Sequence, residues 1–167
     1  QAHSTRLIIG PGTGLGVAGV FPGQHAWIPL PTEGGHVTFA PTDSTEQALL
    51  DVFLQRHKRV SVERILCGQG LLELYQAYCT LEGIEPHLTS PAEVTTAANE
   101  GDSLATTALL RFLKILGDVC GDATLTMGAR GGVYLCGGIL PRLLEWRPKS
   151  ELRAAFVNKG RMGAYNA

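Results

Sequence analysis

The stretch "LIIGPGTGLGVAGVF", Leu7 to Phe21, sets Gly10, Gly12, Gly14 and Gly16 at every second position between two apolar runs. A dinucleotide-binding fingerprint needs G-x-G-x-x-G at the entry to a helix. Here Leu15 or Val17 falls where the third glycine belongs, and the "VAGVF" that follows reads as strand. A phosphate loop of the G-x-x-x-x-G-K-[ST] type needs a lysine, and the stretch has none. A strand–turn–strand hairpin remains. Such a turn grips phosphate when residues without a Cβ let backbone N–H groups line a small concavity, and Thr13 adds a hydroxyl donor. The same glycines also suit a plain turn that needs positive φ. Two would satisfy a turn, however, and four with a threonine exceed that need.

Around the hairpin the chain has 167 residues, of which 44% are hydrophobic and 17% charged. That is enough for one domain with a real core, read as residues 1–167. A net charge of −1 without a Lys/Arg stripe argues against a nucleic-acid partner. No segment approaches the ~20 apolar residues of a membrane span, and no secretory signal is seen, which points to the cytoplasm. Cys67, Cys79, Cys120 and Cys136 are widely spaced in apolar surroundings. They read as small buried hydrophobes in a reducing compartment.

Three short β-branched or apolar runs, "TRLIIG", "LGVAGVF" and "HAWIPLP", are separated by turns short enough for antiparallel neighbours. Helical patterns follow. Ser44 with Gln47 reads as a capping box, Ser61 opens a short helix holding Glu63 and Arg64, and Gly83 closes the next helix. Ser90, Pro91 and Glu93 give a well-marked helix start. Residues 102 to about 127 carry the stripe Leu109, Phe112, Leu113, Leu116 and Cys120 of one long central helix. Val133 to Cys136, between glycine pairs, reads as a strand buried on both faces. A helix follows Pro141, and another runs through "KSELRAAFVNKG" to Gly160. The pattern is a mixed α/β domain.

A second constellation, "LPTEGGHVTFAP", places Glu33 and His36 on either side of two glycines. A carboxylate accepts from hydroxyls and an imidazole donates or accepts, a set that suits a polyol or sugar better than an anion. An exposed turn with a solvated glutamate accounts for the same residues. A metal site fits less well, because no further ligand stands at the right spacing. Glu63 by itself is a first-turn helix residue favoured by the helix dipole.

The ordered motifs "GPGTGLGVA", "EGGHVTFAP", "VSVERILCGQGL", "GGVYLCGGILPR" and "LRAAFVNKGR" resemble the large domain of bacterial ATP-dependent glucokinases, a family distinct from the ROK sugar kinases. The resemblance implies an α/β fold of the actin-like, ribonuclease-H-like ATPase type, its mixed sheet begun by antiparallel strands and flanked by helices. It assigns Gly12, Thr13 and Gly14 to a hairpin that grips ATP phosphates, and Gly137 and Gly138 to the adenosine motif. For those last two, a strand-to-helix turn is the plainer account. It transfers glucose contacts to Glu33, His36 and Glu63, implies Mg²⁺ with the ATP, and implies a homodimer.

Family members also carry an Asp-x-Gly-Gly-Thr phosphate hairpin in a smaller domain, and an Asn-Asp pair whose aspartate takes the proton of the sugar 6-hydroxyl. Neither motif occurs in these residues, nor do the last strand and terminal helix. No residue here is therefore assigned as catalytic. The chain reads as a large-domain piece of a glucokinase, expected to be inactive alone. The alternative is a non-catalytic sugar-binding sensor or regulator on the same fold.

Overall fold

The computed structural model describes residues 3–167. Alternation decides its first layer. In Arg6–Pro11 (β1) and Leu15–Pro22 (β2), every second side chain is buried, so Leu7, Ile9, Leu15 and Val17 share one core face. The two strands pair antiparallel with Gly10 opposite Gly16 and Pro11 opposite Leu15, which leaves residues 12–14 as the turn. Trp27–Thr32 (β3) pairs antiparallel with β2. It carries Pro29 and Pro31, residues that cannot donate to a ladder and are tolerated at a sheet edge. Val133–Leu135 (β4) joins β1 in parallel, giving the order β3-β2-β1-β4. The expected antiparallel opening of a mixed sheet is what the chain forms.

The helices are Ser44–Arg56 (α1), Val62–Ile65 (α2), Gly68–Glu82 (α3), Pro91–Asn99 (α4) and Ser103–Met127 (α5), then Leu140–Leu143 (α6), Leu152–Val157 (α7) and Gly163–Asn166 (α8). The long α5 is the central post, contacting β1, α3, α4 and α7. Its stripe of Ala105, Ala108, Leu109, Phe112, Leu113 and Leu116 is buried. Each large apolar side chain hidden this way contributes about 1.5–3 kcal/mol.

Two helix ends form where their local signals place them. Ser90 caps α4, its Oγ accepting from Glu93 N–H at 3.2 Å, while the Glu93 carboxylate accepts from Thr89 N–H at 2.6 Å. Gly83 ends α3 at φ +69°.

Four expectations are corrected. The cap of α1 is Asp43 and not Ser44: the Asp43 carboxylate accepts from Glu46 N–H at 2.8 Å, and carboxylate and hydroxyl are equally good caps. The helix in "KSELRAAFVNKG" stops at Val157, with Gly160 at φ +54° in a separate turn. β4 is not buried on both faces. Tyr134 and Leu135 are exposed, and among the described residues β4 has β1 on one side and no strand on the other. Cys136 is exposed too, while Cys67, Cys79 and Cys120 are buried and unpaired as expected. Burial pushes the Cys120 thiol up to about 12.

Candidate functional site

The β1–β2 turn does not contain the positive φ that would explain it as a plain turn. None of Gly10, Gly12, Gly14 or Gly16 has one. At Gly10 and Gly14 smallness answers to neighbours instead, Cys136 and Glu63 respectively. A Cβ on Gly14 would stand 2.6 Å from Glu63 Oε2, whereas one on Gly12 would meet nothing within 4 Å. Gly12 faces open space.

Three hydrogen bonds hold the turn from outside. Gly68 N–H, at the start of α3, donates to the Gly12 carbonyl at 2.9 Å. Leu15 N–H donates to Glu63 Oε2 at 2.8 Å. At the strand side, Cys136 N–H donates to the Ile9 carbonyl at 2.9 Å. Within the turn, Gly12 N–H donates to the Gly14 carbonyl at 2.8 Å. The amides of Thr13 and Gly14 and the Thr13 hydroxyl are left, among the described residues, without a protein partner. Gly12 supplies room, and its two neighbours supply donors.

Glu63 reaches the hairpin because α2 is pinned beneath it. Ser61 caps that helix, its Oγ accepting from Arg64 N–H at 3.3 Å, and Val62 and Ile65 anchor it in the core. The backbone after His36 is stitched to the same place. Val62 N–H donates to the Val37 carbonyl and Phe39 N–H to the Val60 carbonyl, both at 3.0 Å. Arg59 donates to the His36 carbonyl at 2.8 Å. Gly35 packs against the Leu15 carbonyl, tying the Glu33–His36 turn to the hairpin.

These constraints bring Glu63 to the Glu33–His36 turn, about 30 positions earlier in the sequence. His36 Nδ1 is 3.8 Å from Glu63 Oε1, and His36 Nε2 is 3.8 Å from Glu33 Oε2. The side chains are 90% exposed at Glu33, 58% at His36 and 31% at Glu63. The spacing is too long for hydrogen bonds, so the outward-facing polar atoms remain available to a ligand. Glu33, His36 and Glu63 form one cluster, and it adjoins the hairpin.

Gly137 and Gly138 sit on the other side of the hairpin. Gly137 adopts φ +93° and packs against the Pro11 carbonyl, so a side chain there is excluded twice. Gly138 faces open space, with nothing within 4 Å of where a Cβ would be. The contact of Leu15 N–H with Glu63 is what sequence reasoning missed. No local signal marks an amide that donates to a side chain 48 residues later.

This architecture, with a glycine hairpin between a polar cluster and a strand-end glycine pair, is the actin-like ATPase fold of the sugar kinases. A glucokinase from an Antarctic psychrotroph superimposes with TM-score 0.94 at 33% identity, covering 99% of this chain and 52% of that one. A glucokinase from Balamuthia mandrillaris, solved with glucose, gives TM-score 0.82 at 19% identity over 99% of this chain and 48% of its own. A ROK-family glucokinase from Streptomyces griseus, solved with glucose and AMPPNP, gives 0.62 at 17% identity over 94% of this chain and 51% of its own.

The glucokinase family model matches residues 1–167, and the chain belongs to the glucokinase family. The glucokinase of Chromohalobacter salexigens is 69% identical over 163 residues, covering 98% of this chain and 51% of that protein. That of Hahella chejuensis is 53% identical over 163 residues, covering 97% and 51%. The chain thus spans about half the length of the curated relatives it matches. The sensor alternative is not favoured by these relatives.

Proposed function

We propose that a protein carrying this chain at its relatives' full length transfers the γ-phosphoryl of ATP to the 6-hydroxyl of glucose, giving glucose 6-phosphate and ADP. The observation that carries the reading is the junction at Glu63, where the glycine hairpin and the Glu33–His36–Glu63 cluster meet through the Leu15 amide. A hexose hydroxyl donates well to a carboxylate, and two carboxylates beside an imidazole give such a sugar several anchors. The free amides of Thr13 and Gly14 and the Thr13 hydroxyl are donors matched to phosphate oxygens. Open space at Gly12 lets the phosphates approach the backbone. Gly137 and Gly138 leave a bare strand end for the nucleoside.

In this reading Glu33, His36 and Glu63 fix the sugar through hydroxyls other than the reacting one, and the hairpin fixes the transferring group. Catalysis of this kind is mostly positioning and charge stabilisation. The P–O bond to ADP breaks as the bond to the sugar oxygen forms. The sugar proton passes to the aspartate of the family's Asn-Asp pair, which these residues do not include. Mg²⁺ accompanies ATP in the same proposal. The hairpin offers donors rather than metal ligands, and among the described residues no group of three or more His, Cys, Asp or Glu is placed to hold an ion. These residues therefore do not themselves fit a metal. Residues 1–167 as one large domain, a cytoplasmic setting and a homodimer belong to the same reading.

A coupled ADP-release assay tests it. The full-length protein should turn over glucose with ATP, and the 167-residue chain alone should not. A base typically contributes ~10²–10⁴-fold, and lost positioning adds to that. Turnover by the isolated chain at the full-length rate overturns this division of labour.

A further inference from the structure

We infer that Glu63 is a positioning residue that couples the sugar cluster to the phosphate hairpin, so that sugar and nucleotide each tighten the binding of the other. The inference rests on the reading above. Glu63 Oε2 accepts the Leu15 amide at 2.8 Å, at the first residue after the turn. Glu63 Oε1 has no hydrogen-bond partner among the described residues and faces His36 Nδ1 at 3.8 Å. One carboxylate thus spans both sites, one oxygen for each.

Gly14 completes the device. Its missing side chain leaves the space that Glu63 Oε2 occupies, since a Cβ would lie 2.6 Å from that oxygen. Its φ is not in the positive range, so the backbone itself accepts alanine there. An added methyl must push the carboxylate away. Gly14 therefore governs the sugar cluster through Glu63, although it lies in the phosphate hairpin.

The rest of the turn is held independently, by Gly68 N–H on the Gly12 carbonyl at 2.9 Å. Loss of the Glu63 bond therefore loosens the Leu15 side of the hairpin and leaves its other side anchored. A sugar hydroxyl on Oε1 restrains the carboxylate and, through Oε2, the hairpin donors. The coupling is reciprocal by thermodynamic necessity.

The test uses the full-length protein, glucose, and the β,γ-imido analogue of ATP in calorimetric titrations, together with glucose KM from the coupled assay. In the wild type, saturating glucose should tighten analogue binding by about fivefold or more, and the analogue should tighten glucose by the same factor. Gly14→Ala should raise the glucose KM at least about fivefold and cut the coupling factor to near one. Glu63→Ala should weaken analogue binding even without glucose. Glu63→Gln, which keeps an acceptor for the Leu15 amide, should not weaken it without glucose, yet should lose the coupling.

A purely structural role for Glu63 predicts that both substitutions lower stability alike and does not separate them in this way. The Leu15 amide proton, followed by hydrogen exchange, should exchange faster in Glu63→Ala than in Glu63→Gln. An active wild type with unlinked ligands, or a Gly14→Ala variant with normal glucose KM, overturns the coupling alone. A wild type that fails to phosphorylate glucose overturns the proposed function and the coupling with it.

Discussion

Two groups of ionisable residues in this molecule behave oppositely. In one, Glu46 is fully buried and every lone pair is engaged. Its carboxylate accepts from Thr42 N–H at 2.8 Å, Thr42 Oγ1 at 2.9 Å, Lys114 Nζ at 2.7 Å and Arg111 Nη1 at 3.1 Å. Arg111 also pairs with Asp43 at 2.6 Å, and Lys114 with Asp118 at 3.1 Å. In the other, Glu33, His36 and Glu63 approach to 3.8 Å and stop, leaving outward-facing polar atoms unspent. The first cluster fastens α1 to α5. The second fastens no elements in this way.

Electrostatics follow the same division. Burial alone would push the Glu46 carboxyl up, but Lys114 and Thr42 hold it below the ordinary carboxylate range. Desolvation likewise opposes ionisation of Asp43, yet the Glu46 amide and Arg111 bring it down. Burial works against charge on Lys114 too, and Glu46 and Asp118 outweigh it to raise the ammonium. A carboxylate committed this fully to protein partners has no capacity left for a ligand, whatever its charge.

The largest effect that could break this contrast is Glu46→Ala. Removing the shared carboxylate takes one buried partner from each of Arg111 and Lys114, which keep Asp43 and Asp118. The expected loss is about 3 kcal/mol, the low end for a broken buried pair, read from denaturant unfolding. A loss under about 1 kcal/mol would deny Glu46 its fastening role.

Glu33→Gln should do the reverse. Stability should stay within about 0.5 kcal/mol, as for an exposed site. Glucose KM should rise roughly tenfold or more, the ~1.5–3 kcal/mol worth of a hydrogen bond to a charged group. An unchanged KM in the coupled assay removes Glu33 from the sugar site.

Acid should separate the clusters next. The folded values of Asp43 and Glu46 are lowered, so their stabilisation is complete above the unfolded carboxylate range. It is lost as pH falls through the lowered folded values, below about pH 4. Unfolding midpoints measured from pH 7 to pH 3 should fall, with a shallower fall in Glu46→Ala.

The smallest expected change is Asp102→Ala. Its carboxylate caps α5 by accepting from Ala105 N–H at 2.7 Å, away from both clusters. Stability should drop by about 1 kcal/mol with glucose KM unaltered.

What could be read from the sequence was what neighbouring residues decide. The hairpin followed from alternation and glycine spacing, α4 from its Ser-Pro-x-Glu start, and α5 from its apolar stripe. The reason for Gly14 was hidden because it lies 49 positions away, at Glu63, and no propensity scale reaches that far. The edge position of β4 was hidden for a related reason. A short apolar run looks the same whether a strand covers its far side or not, and burial is settled by topology. Likewise the ladder from Glu46 to Arg111 and Lys114 joins residues 65 and 68 apart. The grouping of Glu33, His36 and Glu63 rests on resemblance, because the 3.8 Å approach of Glu63 to His36 comes from the fold and not from local sequence.

The exposure of Cys136 also makes the molecule chemically addressable. Three of its four thiols are buried, and the fourth follows β4 with its Sγ 3.5 Å from the Ile9 carbonyl, on the strand that leads into the glycine turn. Among these residues it is the thiol open to a maleimide dye, and under the proposed function a nucleotide at the hairpin would change its surroundings. These residues thus offer one exposed thiol to which an optical reporter can be attached.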